Sequence, residues 1–531
     1  MKDKKKMKLK KFYFHPITVF LLLILLVIIL SSIFSAFQMQ GTYNTINETT
    51  HELQPKLVAV ENMLSISGMR FIFSNAMKNF LSFTPFAMLL VSLIGISVAE
   101  ATGFIETFSK RYIKKLNKYQ LTFIIMLIAT ASSLINEVGY AILIPLVALI
   151  YFIIGRNPIL GIITSFCGVA FGYGVSIFVG STDIALMNYT KNAAMLIDPT
   201  THIALTSNLF FIIAASIIIS ILGTVVIEKL IAPKLGKYKR DEEFAKTEQY
   251  CILDVEEEEQ KKIEQEQKEK KGMKSALITG LIVIIIFIYM IIPGLPSSGL
   301  LLDMDEKIYL NQLFGTNSYF KDSFAYMIAL TLLLMGLSYG ISSKSIKNDK
   351  QLIEKLEKGF SKIGSLVVLL FVFSQFIAIF KKTNIGTVIT IWLVNLLEYL
   401  DFSSIPLIIL VLILIALSNL LLTGAGTKWM IFAPVVVPMF MQSNISPQFA
   451  QVVMRVGDSM TNGITPFLAS FAIYIGYLNL YNLNTDRPYT IRKSINLLLP
   501  YFSLIFVFWV LLIIGWYLIG LPIGPGVYPT L

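Results

Sequence analysis

The sequence predicts an all-α polytopic membrane protein with about nine transmembrane helices and two re-entrant helical hairpins in an inverted repeat. Three observations carry this prediction. Of 531 residues, 55% are hydrophobic and only 15% charged, and the mean hydropathy is +0.71, which suits a chain immersed in lipid. Basic residues sit in short clusters between apolar runs, and every such cluster but one short pair falls on one side, as the positive-inside rule requires. Two long apolar runs, 121–154 and 405–441, have polar midpoints and flanks that both face one side. Irregular backbone at membrane depth is tolerated only inside protein or along a wet cavity, so both runs suit hairpins. For the first run, two tightly joined full spans are the alternative.

In chain order, a lysine-rich start (Met1 to Lys6) precedes an apolar run from Ile17 to Phe34. That run is long for a signal-peptide core and has no small-residue cleavage site, so it reads as a retained span with the N-terminus inside. A polar loop from Gln38 to Asn79 follows, containing an Asn47-Glu48-Thr49-Thr50 pattern too common to use. A second span, Leu81 to Phe104, returns to the basic stretch Lys110 to Lys115. The first hairpin comes next, its tip reading Asn136-Glu137-Val138-Gly139-Tyr140. A glycine-rich span with Gly168, Gly172, Gly174 and Gly180 leads to Ser181-Thr182-Asp183, and a span from Ile203 to Ile227 completes a first half, 1–231.

Residues 232–273 are too densely charged to bury a core, as Glu256 to Glu259 and Lys268 to Lys271 illustrate. They read as a cytoplasmic linker, either a solvated helix or a disordered tether. The second half, 274–531, holds spans at Ser275 to Ile292, Phe324 to Ile341 and Leu366 to Phe380. Lys381-Lys382 then falls on the outer side, before a peripheral helix near Val388 to Leu400. The second hairpin carries Asn419 and Thr423-Gly424-Ala425-Gly426-Thr427-Lys428-Trp429 at its centre. A last span, Leu497 to Ile519, leaves the C-terminus outside.

The most informative stretch lies between that hairpin and the last span: Arg455, Asp458 and Asn462, followed by Gly463 and Pro466. The three polar residues are three and four apart, so a helix places them on one face. Charges at membrane depth cost a few kcal/mol or more and survive where they pair or line a pathway. Glycine and proline then remove helical propensity and a backbone donor. In the first half, Gly180 to Asp183 echoes this polar break, and the spacing Tyr140 to Pro145 recurs as Trp429 to Pro434. Paired hairpins and paired breaks are the pattern of an inverted-repeat carrier.

Asp183 reads as a proton carrier or cation ligand, or as an aspartate facing water at a span end. Asp458 suits a coupling role, although a permanent Arg455–Asp458 pair would have the same sequence. Asn419, Thr423, Thr427 and Lys428 offer donors and acceptors at the second tip, and Asn136 and Glu137 at the first. Trp429 and Tyr140 suit either stacking on an aromatic solute or anchoring helices. A sodium ion could sit near Asp183 and Asn419. The net charge of +11 and pI near 9.2 reflect topology rather than nucleic-acid binding. Two cysteines, Cys167 and Cys251, and three histidines make no disulfide framework or metal spacing. Neither a phosphate-binding lysine loop nor a nucleophile constellation is present, so no enzyme and no cofactor is expected, and an ion gradient (H+ or Na+) must supply the energy.

These residues resemble the p-aminobenzoyl-glutamate transporter (AbgT) family nearly end to end. The matching pieces are His15-Pro16, Phe83-Thr84-Pro85 with Gly95 to Glu100, Gly139 to Pro145, Gly155-Arg156-Asn157-Pro158, Ile197-Asp198-Pro199 and Ser374 to Ala378. Further matches are Lys428-Trp429 with Ala433-Pro434 and Pro438 to Met441, Arg455 to Pro466, and Leu521 to Gly526. The resemblance implies a homodimer in a bacterial plasma membrane, with nine spans, two hairpins and one path per protomer. It implies ion-coupled movement of p-aminobenzoyl-glutamate, or proton-driven export of sulfonamide-type antimetabolites. A sodium-coupled dicarboxylate symporter shares the same plan. By position, the family's functional residues fall on Asp183, Asn419, Trp429, Pro447, Arg455, Asp458 and Pro466. The family's usual Asp-Ala-Gly-Tyr is here Glu137 to Tyr140, and its serine- and alanine-rich tip is here Thr423 to Thr427.

Overall fold

The computed structural model describes residues 14–47, 52–135, 137–238, 255–400, 402–484 and 486–531, with backbone alone at 255–262 and 358. The lysine-rich start, most of the Asn47 to Thr50 pattern, Asn136, Cys251 and the Glu256 to Glu259 side chains lie outside these. Among the described residues, eight helices are long and apolar enough to cross a membrane. One of them, Lys118–Ile135, is the expected first hairpin arm. The others, from Pro16–Ala36 to Ile491–Ile519, coincide with expected spans. Many apolar side chains on the outer helices stay exposed, including Leu21, Leu25, Ile285 and Leu511, because lipid, not protein, is their solvent.

The remaining two expected spans are each broken into shorter helices. The first runs Pro158–Phe171, loses regularity from Gly172 to Gly180, and resumes as Ser181–Ala194. The second runs Pro447–Asn462, breaks at Gly463 to Ser470, and resumes as Phe471–Leu480. Each expected hairpin is likewise helix, tip, helix: Lys118–Ala131 and Val138–Ile153 in one half, Ser404–Asn419 and Ala425–Gln442 in the other. The helix Pro447–Asn462 sits at the centre. It packs against both second-hairpin arms, both parts of the first broken span, and the last helix.

One expectation is corrected. The fold is mostly helical but not all-α, because Gln40–Ile46 and Leu53–Ala59 pair as an antiparallel ribbon, Gln40 opposite Ala59. The ribbon rests on helix Ile385–Leu397: Trp392 Nε1 donates to the Gln40 carbonyl at 3.0 Å, and Asn395 Nδ2 to that of Thr42 at 3.3 Å. Two strands alone are marginal in water, and this support holds the ribbon in place. From Val255 a single 37-residue helix continues through the charged stretch into the apolar span and ends at Ile291.

At the base of the first hairpin, buried Glu228 accepts from Arg156 at 2.6 Å and from the Thr122 hydroxyl, tying three segments together. Elsewhere, packing is close enough to require glycine. A Cβ on Gly336 would lie 2.8 Å from the Ala99 Cα on the neighbouring helix Thr84–Ala101. Gly336→Val should therefore cost about 1–3 kcal/mol and lower the melting temperature of the detergent-purified protein. Gly426→Ala, where an added Cβ meets nothing within 4 Å, should not lower it.

Candidate functional site

The local sequence of the central helix explains where it starts and stops. The Ser446 hydroxyl accepts from the Phe449 N–H at 3.3 Å and Pro447 occupies the first turn, a favoured N-terminal arrangement. Every residue from Pro447 to Asn462 except Gln448 is buried. The helix ends where Gly463 and Pro466 were expected to end it. Hydroxyls at this end tie it to the second hairpin: that of Thr461 donates to the Ala416 carbonyl and that of Thr465 to the Leu420 carbonyl, each at 2.8 Å.

Arg455 and Asp458 do not pair with each other. Arg455 reaches into the first break, where its Nη1 pairs with Asp183 Oδ1 and its Nε donates to the Gly174 carbonyl at 2.7 Å. Asp183 also accepts from the Gly180 N–H at 2.8 Å, and the Ser459 hydroxyl accepts from the Gly174 N–H. A Cβ on Gly174 would collide with the Arg455 carbonyl and the Ser459 hydroxyl, so only glycine lets the broken backbone lie against the central helix. Asp183 is buried at 3% exposure, which removes the reading of an aspartate facing water.

Asp458 pairs with Lys428 from the second tip, and Lys428 also donates to Asn419 Oδ1. The Asn419 amide nitrogen lies 2.8 Å from the Asp458 carbonyl and 2.9 Å from Asn462 Oδ1. Asn419, Lys428, Asp458 and Asn462 thus form one buried network. A cation placed near Asp183 and Asn419 would meet oxygens that already accept from Arg455 and Lys428. At the opposite tip, Glu137 accepts from the Ser470 hydroxyl of the second break at 2.8 Å. Ser133 donates to the Val175 carbonyl of the first break at 2.7 Å. Tips and breaks from both halves therefore converge.

Glu137, Asp458 and Asn462 line a cavity of about 110 Å³ together with Tyr173, Lys381 and Thr423. It adjoins a second cavity of about 250 Å³, whose wall includes Thr427, Phe380, Asn384 and Phe467. A larger cleft, about 870 Å³, lies by the charged end of helix Val255–Ile291 and contains none of the expected site residues. Other expected residues stand apart from the cavities. Trp429 is fully buried, donating at 2.8 Å to Thr190, which in turn donates to Gln451 at 3.2 Å. Tyr140 is fully buried beside Phe166, its hydroxyl without a partner among the described residues. Pro447 starts the central helix and Pro466 lies in its break. Sequence reasoning missed Tyr173, Lys381, Ser459 and Ser470. For Lys381 a signal existed, since Lys381-Lys382 is the one basic pair off the charge pattern.

Removing one partner of a buried ion pair strands the other charge. Asp458→Asn alone should destabilise the protein by about 3–5 kcal/mol, seen as a lower melting temperature. Adding Lys428→Met should restore most of it. An Asp458→Asn protein as stable as the parent would refute the pairing. Tyr140→Phe should leave the melting temperature unchanged, since it removes a hydroxyl that bonds to nothing.

The model of the AbgT transporter family matches residues 9–531. The p-aminobenzoyl-glutamate transport protein of Escherichia coli (strain K12) is 27% identical over 517 residues, spanning 97% of this chain and 94% of that protein. Among solved structures, the YdaH transporter of Alcanivorax borkumensis is 28% identical, with a TM-score of 0.47, and covers 96% of this chain and all of its own. MtrF of Neisseria gonorrhoeae, described as illuminating a class of antimetabolite efflux pumps, is 28% identical with the same TM-score, covering 97% and 98%. A match running almost from end to end makes this multi-pass membrane protein a member of the AbgT transporter family.

Proposed function

We propose that the chain is a secondary active transporter that moves p-aminobenzoyl-glutamate, or a related aromatic anion, across the plasma membrane, coupled to an ion gradient. The observation that carries the reading is the pair of buried ion pairs, Asp458–Lys428 and Asp183–Arg455, where the tips meet the broken spans. In this reading the two halves, 1–231 and 274–531, form an inverted repeat of nine spans and two re-entrant hairpins, joined by a cytoplasmic linker. The N-terminus lies inside and the C-terminus outside. Each protomer of a homodimer carries one path.

Coupling follows from electrostatics. While Asp458 is charged, Lys428 is held and the second tip is tied to the central helix. A proton or sodium ion on Asp458 cancels that attraction, and Lys428 is then free to move with its tip. Carboxylate and ammonium in low dielectric attract strongly, so a single charge shifts the balance between two arrangements. Substrate that favours the released arrangement is thereby linked to the ion. The name of the Escherichia coli relative supports p-aminobenzoyl-glutamate as the substrate.

The test is transport in proteoliposomes with proton and sodium gradients imposed independently. Labelled p-aminobenzoyl-glutamate, a sulfonamide and succinate serve as the three substrates. Accumulation of p-aminobenzoyl-glutamate under one of the gradients, abolished by Arg455→Ala, is the expected result. Movement of the sulfonamide or of succinate alone would replace this substrate, and no gradient-driven movement of any of the three would sink the reading.

A further inference from the structure

Lys381 and Lys382 form the basic pair that departs from the charge pattern, and the structure gives the two lysines different surroundings. Lys382 is engaged, its ammonium 2.7 Å from a Glu61 carboxylate oxygen. Lys381, in the last turn of helix Gly364–Thr383, is exposed and makes no ion pair among the described residues. Its side chain lines both adjoining cavities. The other two cations of the site are committed: Arg455 to Asp183 and Lys428 to Asp458. An anion entering the smaller cavity would face Glu137 and Asp458, and like charges in low dielectric repel strongly. Lys381 is the positive charge placed to offset that repulsion.

The rest of the wall complements an aromatic body. Phe467 of the second break packs on Phe380 with ring centroids 4.1 Å apart, and on Phe376 at 5.3 Å and 28°. Phe380 and Phe467 line the larger cavity beside Lys381, together with Thr423 and Thr427, whose hydroxyls can donate or accept. Apolar walls with a few convergent polar groups are the usual make-up of a small-molecule site.

We propose that Lys381 is the anion-recognition residue of an aromatic carboxylate site spanning these two cavities, with Phe380 and Phe467 holding the ring. The proposal deepens the transport reading and rests on it for the site's purpose, while its test needs binding alone. The intact detergent-purified protein is titrated with p-aminobenzoate and with its neutral counterpart p-aminobenzamide, and binding is read from the shift in melting temperature. Losing a hydrogen bond to a charged group should weaken p-aminobenzoate in Lys381→Ala by roughly ten- to hundredfold. Lys381→Arg should retain most of the binding, and Lys382→Ala should match the parent. Binding of p-aminobenzamide should be unaffected by Lys381→Ala. No stabilisation of the parent by p-aminobenzoate would overturn the proposal. So would unchanged affinity in Lys381→Ala, or equal weakening of the acid and the amide. Lys381-dependent binding in a protein that fails to transport p-aminobenzoyl-glutamate would refute the transport reading and uphold this site.

Discussion

Around the central helix each buried charge finds its opposite, and that constraint organises the packing there. Arg455 finds Asp183 across the first break, and Asp458 finds Lys428 at the second tip. Either partner alone would cost several kcal/mol at this depth. Satisfying both at once fixes where the first broken span and the second hairpin can lie relative to Pro447–Asn462. The pairs contribute specificity of arrangement more than net stability. An apolar helix of the same length would have many ways to pack here; this one has few.

The irregular segments follow the same logic on the scale of hydrogen bonds. Each break exposes backbone groups that lipid cannot satisfy. The first break receives Arg455, Ser133 and Ser459 on its backbone or through it. The second leans on the Leu420 carbonyl and sends Ser470 to Glu137. The first break draws on Arg455 and Ser459 of the central helix as well as on Ser133 of its own half, and the second ties its Ser470 to Glu137 of the other half. Ion pairs and small hydroxyls thus act together: the first set the crossing, and the second make it tolerable to leave helices unfinished there.

The sequence disclosed local features well and long-range partners poorly. The end of the central helix was legible because Gly463 and Pro466 act through backbone chemistry at the position they occupy. The shared face of Arg455, Asp458 and Asn462 was legible because helical periodicity is local. Which acid each base would choose was not, since Arg455 meets a carboxylate 272 residues away and spacing suggested a nearer one. The ribbon at 40–59 was missed because Gln40–Ile46 is mostly polar and Leu53–Ala59 carries a proline, while the support of helix Ile385–Leu397 comes from far along the chain. Trp429 was legible as an important aromatic, yet its indole N–H is taken up by Thr190, a contact that no pattern within the second hairpin encodes.

The helix Val255–Ile291 has a mechanical meaning beyond its role as a connection. With 37 residues in one unbroken run, it is a rod about 55 Å long. A flexible loop absorbs added or lost residues, but a rod converts them into rotation. One residue inserted in its charged part would turn everything beyond the insertion by about 100° relative to the apolar part and advance it by about 1.5 Å. The charged stretch is therefore held in angular register with the membrane, and its length, not only its composition, carries information.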